Sequence, residues 1–300
     1  MSTIEMLNTK FGIAGVVQVV AGLGGLAAVR VETGEAQGLV YLHGGHVAEW
    51  RPKGQDEVLW VSQKSYWADG KPVRGGVPVC FPWFGPKADD KAAPGHGFVR
   101  LMPWTLEAVT QEDEGVTVVL STKSDDQTRK QWPGEYVLRH RVTIGRELVM
   151  SLELTNTGRE AMAYQEALHT YFTVADVKRV KLTGLEGVKY VDKMDGSKVK
   201  TQEGAVTITA ETDRVYVGTT GTVTIEDPDK MRRIVVAKEG STNTVVWNPW
   251  VAKSKAMADF GDEEWPGMIC VETCNVGADA VKVAAGETVK MVQRVGVVRM

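Results

Sequence analysis

An all-β fold with few short helices is predicted by three features of this 300-residue sequence. Apolar residues recur at every second position, turn-forming pairs cut those runs into strand-sized segments, and helical periodicity is scarce. Val116, Val118 and Leu120 mark one strand. In Glu147–Asn156, Leu148, Met150, Leu152 and Leu154 alternate with a more polar set, the pattern of a half-buried strand. Val206 with Ile208, and Val223 with Ile225, repeat it. The valine-rich stretch Thr288–Val298 reads as a closing strand. Turns are expected at Glu114-Gly115, Asn156-Thr157-Gly158, Asp195-Gly196 and Ala285-Gly286. Two short helices are expected, one over Ser124–Trp132 ended by Pro133-Gly134, the other over Asp227–Arg233. No repeat, low-complexity tract or long linker interrupts the pattern. Stacked antiparallel sheets in one domain spanning residues 1–300 follow, as a large sandwich or barrel.

A formal net charge of −3, with both signs mixed along the chain, supplies no basic face for nucleic acid. The expected partner is a small molecule. Cys80, Cys270 and Cys274 are too few for a disulfide framework and suit a reducing compartment. Met1–Lys10 lacks the basic and apolar regions of a signal peptide. The apolar stretch Val16–Ala28 is broken by glycines and too short for a membrane span. A cytoplasmic protein is expected, with neither nucleic acid nor membrane as partner.

Four segments carry residues that strand packing does not demand. In RGGVPVCFPWFGP, residues 74–86, glycines and prolines oppose a regular central strand. Trp83 and Phe84 there offer a flat wall for a sugar ring, or else an aromatic loop tucked under the sandwich. GHGFVR, residues 95–100, sets His96 between two glycines and Arg100 four residues on. Arg74 and Arg100 carry the planar fork that suits a phosphate oxyanion, although an isolated arginine is usually solvated. ALHTYF, residues 167–172, holds His169 in an apolar run, where a histidine is either a core residue or a catalyst. In ICVETCN, residues 269–275, a strand puts Cys270, Glu272 and Cys274 on one face. A glutamate there needs a partner or a function. Asp213 in TDRVY is a candidate acceptor for sugar hydroxyls or a local partner of Arg214. VWNPW, residues 246–250, either lines a pocket or plugs the sandwich end.

Taken in order, these six motifs resemble those of the glucose-6-phosphate 1-epimerases, the hexose-6-phosphate mutarotase branch of the aldose 1-epimerase superfamily. The resemblance covers most of the chain, about residues 38–298. It implies a β-supersandwich of galactose mutarotase type. It also implies a catalytic pair, His169 and Glu272, with Arg74 and Arg100 holding the substrate and its phosphate. Asp213 would bind substrate too, and His96 matches a further active-site histidine. One departure stands out: some relatives have a polar residue before H-G-F, where this chain has Gly95.

The implied reaction interconverts the anomers of a hexose 6-phosphate, glucose 6-phosphate first among them, by opening and reclosing the ring. A base takes the O1 proton and an acid protonates O5. A glutamate of ordinary pKa, about 4.3, enters ionised, and a histidine near 6.5 is partly protonated. No cofactor and no metal are required, and a monomer is expected. The alternatives are a free-sugar mutarotase, a non-catalytic carbohydrate or sugar-phosphate binder, and a metal site built from Cys270, Glu272, Cys274 and His169.

Overall fold

The computed structural model describes residues 3–300. Among the described residues, alternating burial resolves into two eight-stranded sheets, a four-stranded one and a two-stranded one that pairs Met162–Tyr164 with Val281–Val283, and every ladder between their strands is antiparallel. The four-stranded sheet runs Val17–Ala21, Ala27–Glu32, Ala36–Tyr41, His46–Pro52. The first large sheet has the order Lys198–Thr201, Lys189–Asp192, Thr212–Val217, Asn243–Asn248, Met268–Asn275, Glu166–Leu168, Val79–Cys80. Tyr171–Thr173 also pairs with Met268–Asn275, beside Glu166–Leu168. The second large sheet has the order Lys181–Thr183, Val223–Asp227, Arg232–Glu239, Thr288–Arg299, Leu148–Asn156, Tyr136–Ile144, Gly115–Lys123, Thr105–Glu112.

The alternating apolar residues fill a core shared by the sheets. Leu148, Met150, Leu152 and Leu154 on one strand are buried, as are Val116, Val118 and Leu120 on another. They join one cluster with Val246, Ile269 and Val271 of the first large sheet and with Val29, Val40 and Trp50 of the four-stranded sheet. Side chains alternate across a strand, so the neighbours of Val271 and Val246 face the other way. There Val245, Cys274, Ala167, Cys80 and Val215 form a smaller second cluster. The first large sheet therefore has apolar packing on both faces, and its face away from the main core carries the candidate site.

The all-β reading holds, with corrections to individual elements. Asp227–Arg233 is a hairpin and not a helix: Asp227 pairs with Arg232 across the ladder, and Met231 N–H bonds to Pro228 O to close the turn. Both flanking charges are buried, so this polar run is fixed by strand pairing. The other expected helix exists as Asp126–Gln131, its first turn capped by the Asp125 carboxylate at Gln127 and Thr128 N–H. Val206 and Ile208 are buried as period two demands, yet they contribute one bridge, Leu182 to Val206, in place of a strand. Helices Thr3–Phe11 and Trp250–Ala256 were not expected. No helix among the described residues is long and apolar enough to cross a membrane.

One glycine-bearing segment, residues 95–97, runs against Phe81. Gly97, at φ 74°, lies so close to Phe81 that a Cβ would sit 1.8 Å from its carbonyl oxygen. Gly95 is open, with nothing nearer than 3.8 Å to such an atom. Gly97→Ala is therefore expected to lose at least about 2 kcal/mol in urea unfolding, from the left-handed backbone and the clash together. Gly95→Ala should stay within about 0.5 kcal/mol of the parent chain. Equal stabilities for the two variants would refute this account of the loop.

Candidate active site

The apolar run around His169 lies among three short strands, Met162–Tyr164, Glu166–Leu168 and Tyr171–Thr173. The break falls at His169 and Thr170. Leu168 pairs with Thr273 and Tyr171 with Cys270, so the register is unchanged across the gap and sets His169 opposite Glu272. His169 and Tyr171 then share the face of Cys270 and Glu272, as two-residue spacing requires. His169 Nε2 lies 3.3 Å from Glu272 Oε1, and their side chains are 8% and 1% exposed. Among the described residues, no group hydrogen-bonds either Glu272 oxygen or His169 Nδ1. Three buried polar atoms without protein partners, converging on one spot, are costly to a fold and useful to a ligand.

The surroundings alter the protonation expected from ordinary pKa values. Burial, with Asp213 nearby, pushes the Glu272 carboxyl well above its usual range. Burial, with Arg100 and Arg74 nearby, pushes His169 down to about 3. Burial thus pushes both members toward their neutral forms, whereas an ordinary pKa implies an ionised glutamate. Whichever member holds it, one shared proton suffices for the acid–base exchange the pair can perform.

Two guanidinium groups stand beside this pair. Arg74 donates from Nη1 to Tyr171 Oη at 3.0 Å and from Nη2 to Asp259 Oδ2 at 3.1 Å. The Tyr171 ring in turn stacks on His169, with centroids 4.8 Å apart. Arg100 is anchored by its Nη2, which donates to the Gly95 carbonyl at 2.7 Å. At the position where some relatives carry a polar side chain, this chain uses its backbone. Arg100 has no carboxylate within ion-pair reach among the described residues, and the Nε atoms of both arginines are buried without a partner. Burial pushes Arg100 below its usual pKa, the mark of a cation short of an anion.

His96 takes a left-handed backbone, φ 63°, held by its N–H to Gly85 O at 2.7 Å. Gly85 N–H donates to Nδ1 at 3.3 Å, so the neutral ring carries its proton on Nε2. Its ring meets His169 edge-on at 5.5 Å. Asp213 lies in register with Trp247, Trp247 with Cys270, and Cys270 with Tyr171, forming a row across the sheet. Burial pushes the Asp213 carboxyl up, with Lys193 Nζ 3.9 Å away opposing the shift. All six expected residues thus fall around one face of one sheet.

Three neighbours went unread. Lys193, in a short turn, lies 5.3 Å from the Phe84 ring centroid and close to Asp213. Asp259 and the hydroxyl of Tyr171 orient Arg74. Trp83 is a packing residue, its indole bonded to Pro94 O, whereas Phe84 faces His96. Asn248 and Trp250 plug the sandwich end, through bonds to Trp265 O and Met268 O and contact with the Trp265 ring, and Trp247 alone of that motif faces the site. His169, Cys270 and Glu272 offer atoms within 4.8 Å of one another, without Cys274. Burial keeps the Cys270 thiol protonated, and Arg74, Arg100 and Lys193 surround the group. Those conditions oppose a divalent cation.

A sequence profile described as aldose 1-epimerase matches residues 28–296. A Salmonella typhimurium protein provisionally named glucose-6-phosphate 1-epimerase is 38% identical over 233 residues, which span 77% of each chain. The crystal structure of a Salmonella typhimurium protein provisionally described as a mutarotase superposes with a TM-score of 0.90 at 32% identity, covering 98% of this chain and 100% of that one. A galactose mutarotase related enzyme from Lactobacillus acidophilus shares the fold, with a TM-score of 0.73 at 13% identity and coverage of 90% and 97%. The galactose mutarotase type of sandwich is thereby borne out.

An underpaired Arg100 beside Arg74 should attract a phosphate dianion. Inorganic phosphate at neutral pH is expected to raise the melting temperature by several degrees, as mass action requires of a ligand that binds the folded state. Arg100→Ala should abolish most of that rise, whereas Arg146→Ala, a surface residue paired with Glu35, should keep it. An equal rise in both variants would locate the anion elsewhere.

Proposed function

This chain belongs to the aldose 1-epimerase family, and from that premise we propose that it interconverts the α and β anomers of a hexose 6-phosphate, glucose 6-phosphate above all. The observation that carries the reading is the placement of two arginines, one of them short of a counter-charge, beside a buried glutamate–histidine pair. A free sugar has no use for that much positive charge. A sugar phosphate does.

The chemistry follows from the one shared proton. Burial depresses His169 most and the guanidinium charge next; a bound phosphate dianion offsets the second, and a hydrogen bond from the sugar O1–H favours the Glu272 carboxylate. The proton then rests on His169. Glu272 removes the O1 proton as the C1–O5 bond breaks and C1=O1 forms, and His169 protonates O5. Rotation about C1–C2 presents the other carbonyl face, and closure reverses both transfers. Arg74 and Arg100 convert binding of the remote phosphate into placement of C1 between acid and base. Asp213 accepts from ring hydroxyls, and His96 donates from Nε2–H to a sugar oxygen. Each proton has a side chain to carry it, so the scheme needs no cofactor. The reading takes the whole chain as one catalytic domain acting as a monomer. The three free, buried cysteines agree with a reducing cytoplasm.

Proton NMR of freshly dissolved α-glucose 6-phosphate tests the pair. Glu272→Gln and His169→Asn should fold, bind substrate and each lose about a hundredfold or more in kcat. A folded Glu272→Gln protein within about threefold of wild type would remove Glu272 as base.

The arginines give a separate test. Arg74→Ala and Arg100→Ala should each raise KM for glucose 6-phosphate roughly ten- to a hundredfold, and any rate on free glucose should change far less. Equal losses on the two sugars would turn the reading toward a free-sugar mutarotase. Binding without turnover in the wild type would turn it toward a carbohydrate-binding protein.

A further inference from the structure

The ladder gap at His169 leaves the acid–base pair without the hydrogen bonds that normally fix two strands. His169 N–H bonds away from Glu272, to Pro78 O at 3.0 Å, and Tyr171 N–H likewise to Gly76 O at 2.9 Å. Thr170 N–H turns back on Leu168 O at 2.9 Å. One long backbone bond, Val271 N–H to Thr170 O at 3.3 Å, is what remains across the gap. The spacing of His169 and Glu272 is nonetheless what the chemistry depends on.

The opposite face of the same sheet supplies a brace. Thr170 follows His169 and Thr273 follows Glu272, so both threonines point into the core between the large sheets. Gln293, fully buried at the middle of Thr288–Arg299 in the second large sheet, reaches both of them. Thr170 Oγ1–H donates to Gln293 Oε1 at 2.6 Å, and Gln293 Nε2–H donates to Thr273 Oγ1 at 2.9 Å. One amide thus spans the two residues adjoining the acid–base pair, from a sheet that carries no other part of the site. Val or Leu at these three positions would fill the same space in an apolar core, and burying three polar side chains there needs a reason.

We propose that Gln293 is a positioning residue, which holds His169 and Glu272 at working distance by bridging Thr170 and Thr273 across the gap in the ladder. The inference rests on the acid–base roles proposed above. Without the bridge, the two strands keep their packing but lose the tie across the gap, and the His169–Glu272 separation becomes variable. Arg74 and Arg100 lie on other segments, where Asp259 and the Gly95 carbonyl hold them independently of the bridge.

Gln293→Leu removes both bonds at similar volume, leaving the Thr273 hydroxyl without that donor and Thr170 Oγ1 with its longer 3.4 Å bond to Leu168 O, so its stability will fall. The triple variant Thr170→Val, Thr273→Val, Gln293→Leu strands no hydroxyl and should recover most of that stability. In both proteins kcat for glucose 6-phosphate should drop roughly tenfold or more, because small displacements of reacting groups are expensive. KM should stay within about twofold of wild type, since the arginines are untouched. The pH–rate profile should also move, because the two groups titrate as a coupled pair whose coupling depends on their separation. A triple variant with wild-type kcat and pH profile would overturn the inference, as would a rise in KM without a fall in kcat. If wild type itself fails to accelerate anomerisation, the failure lies in the proposed function and not in the bridge.

Discussion

The site depends on one constraint: an acid and a base lie side by side under nearly complete burial, where neither is comfortable as an ion. Water would solvate the Glu272 carboxylate and His169 would titrate freely. On the inner run of the sheet both are pushed toward their neutral forms. The surrounding construction answers that constraint. Cross-strand register brings the two side chains together, Tyr171 backs the imidazole with its ring, and small residues such as Cys270, Cys274 and Ala167 leave room beside them. The sheet is less a scaffold with a site attached than a ruler on which the site is marked out.

Positive charge around the pair is the second element, and its sense depends on what is bound. Burial first, and then Arg100, Arg74 and Lys193, push His169 toward its unprotonated form. On the proposed reading a dianionic ligand offsets the charge part of that influence, so the anion that the arginines select also favours the protonated histidine. Asp259 balances part of the charge of Arg74, and among the described residues Arg100 has no such partner. An arginine already saturated by carboxylates would have little left for a ligand, while two bare guanidinium groups would destabilise one another and the fold. The arrangement lies between these limits.

Much of this was legible in the sequence because chemistry and strand geometry make local demands. Glu272 between two cysteines announced itself through simple alternation, and the Gly-His-Gly run marked a backbone that ordinary residues avoid. The resemblance then joined segments that periodicity alone leaves unconnected. What escaped notice was brought in by tertiary structure. Lys193 sits in a turn beside Asp195-Gly196 and has no local feature to separate it from a solvated lysine. Asp259 belongs to a polar stretch that reads as loop. Gln293 occupies a strand that reads correctly, but its two partners lie in another sheet. The misread helix at Asp227–Arg233 failed for a related reason, since its charges are buried by distant strands and not displayed on a helix surface.

The anchoring of Arg100 by the Gly95 carbonyl has a consequence for adaptation. A main-chain acceptor is indifferent to which side chain its residue bears, so position 95 can change without releasing the arginine. The space there is open and the backbone is not left-handed. The polar side chain found there in some relatives can therefore be gained or lost as a decoration beside the sugar, leaving the charge apparatus intact. On the proposed reading, sugar preference can vary at such a position while the hold on the phosphate stays where it is.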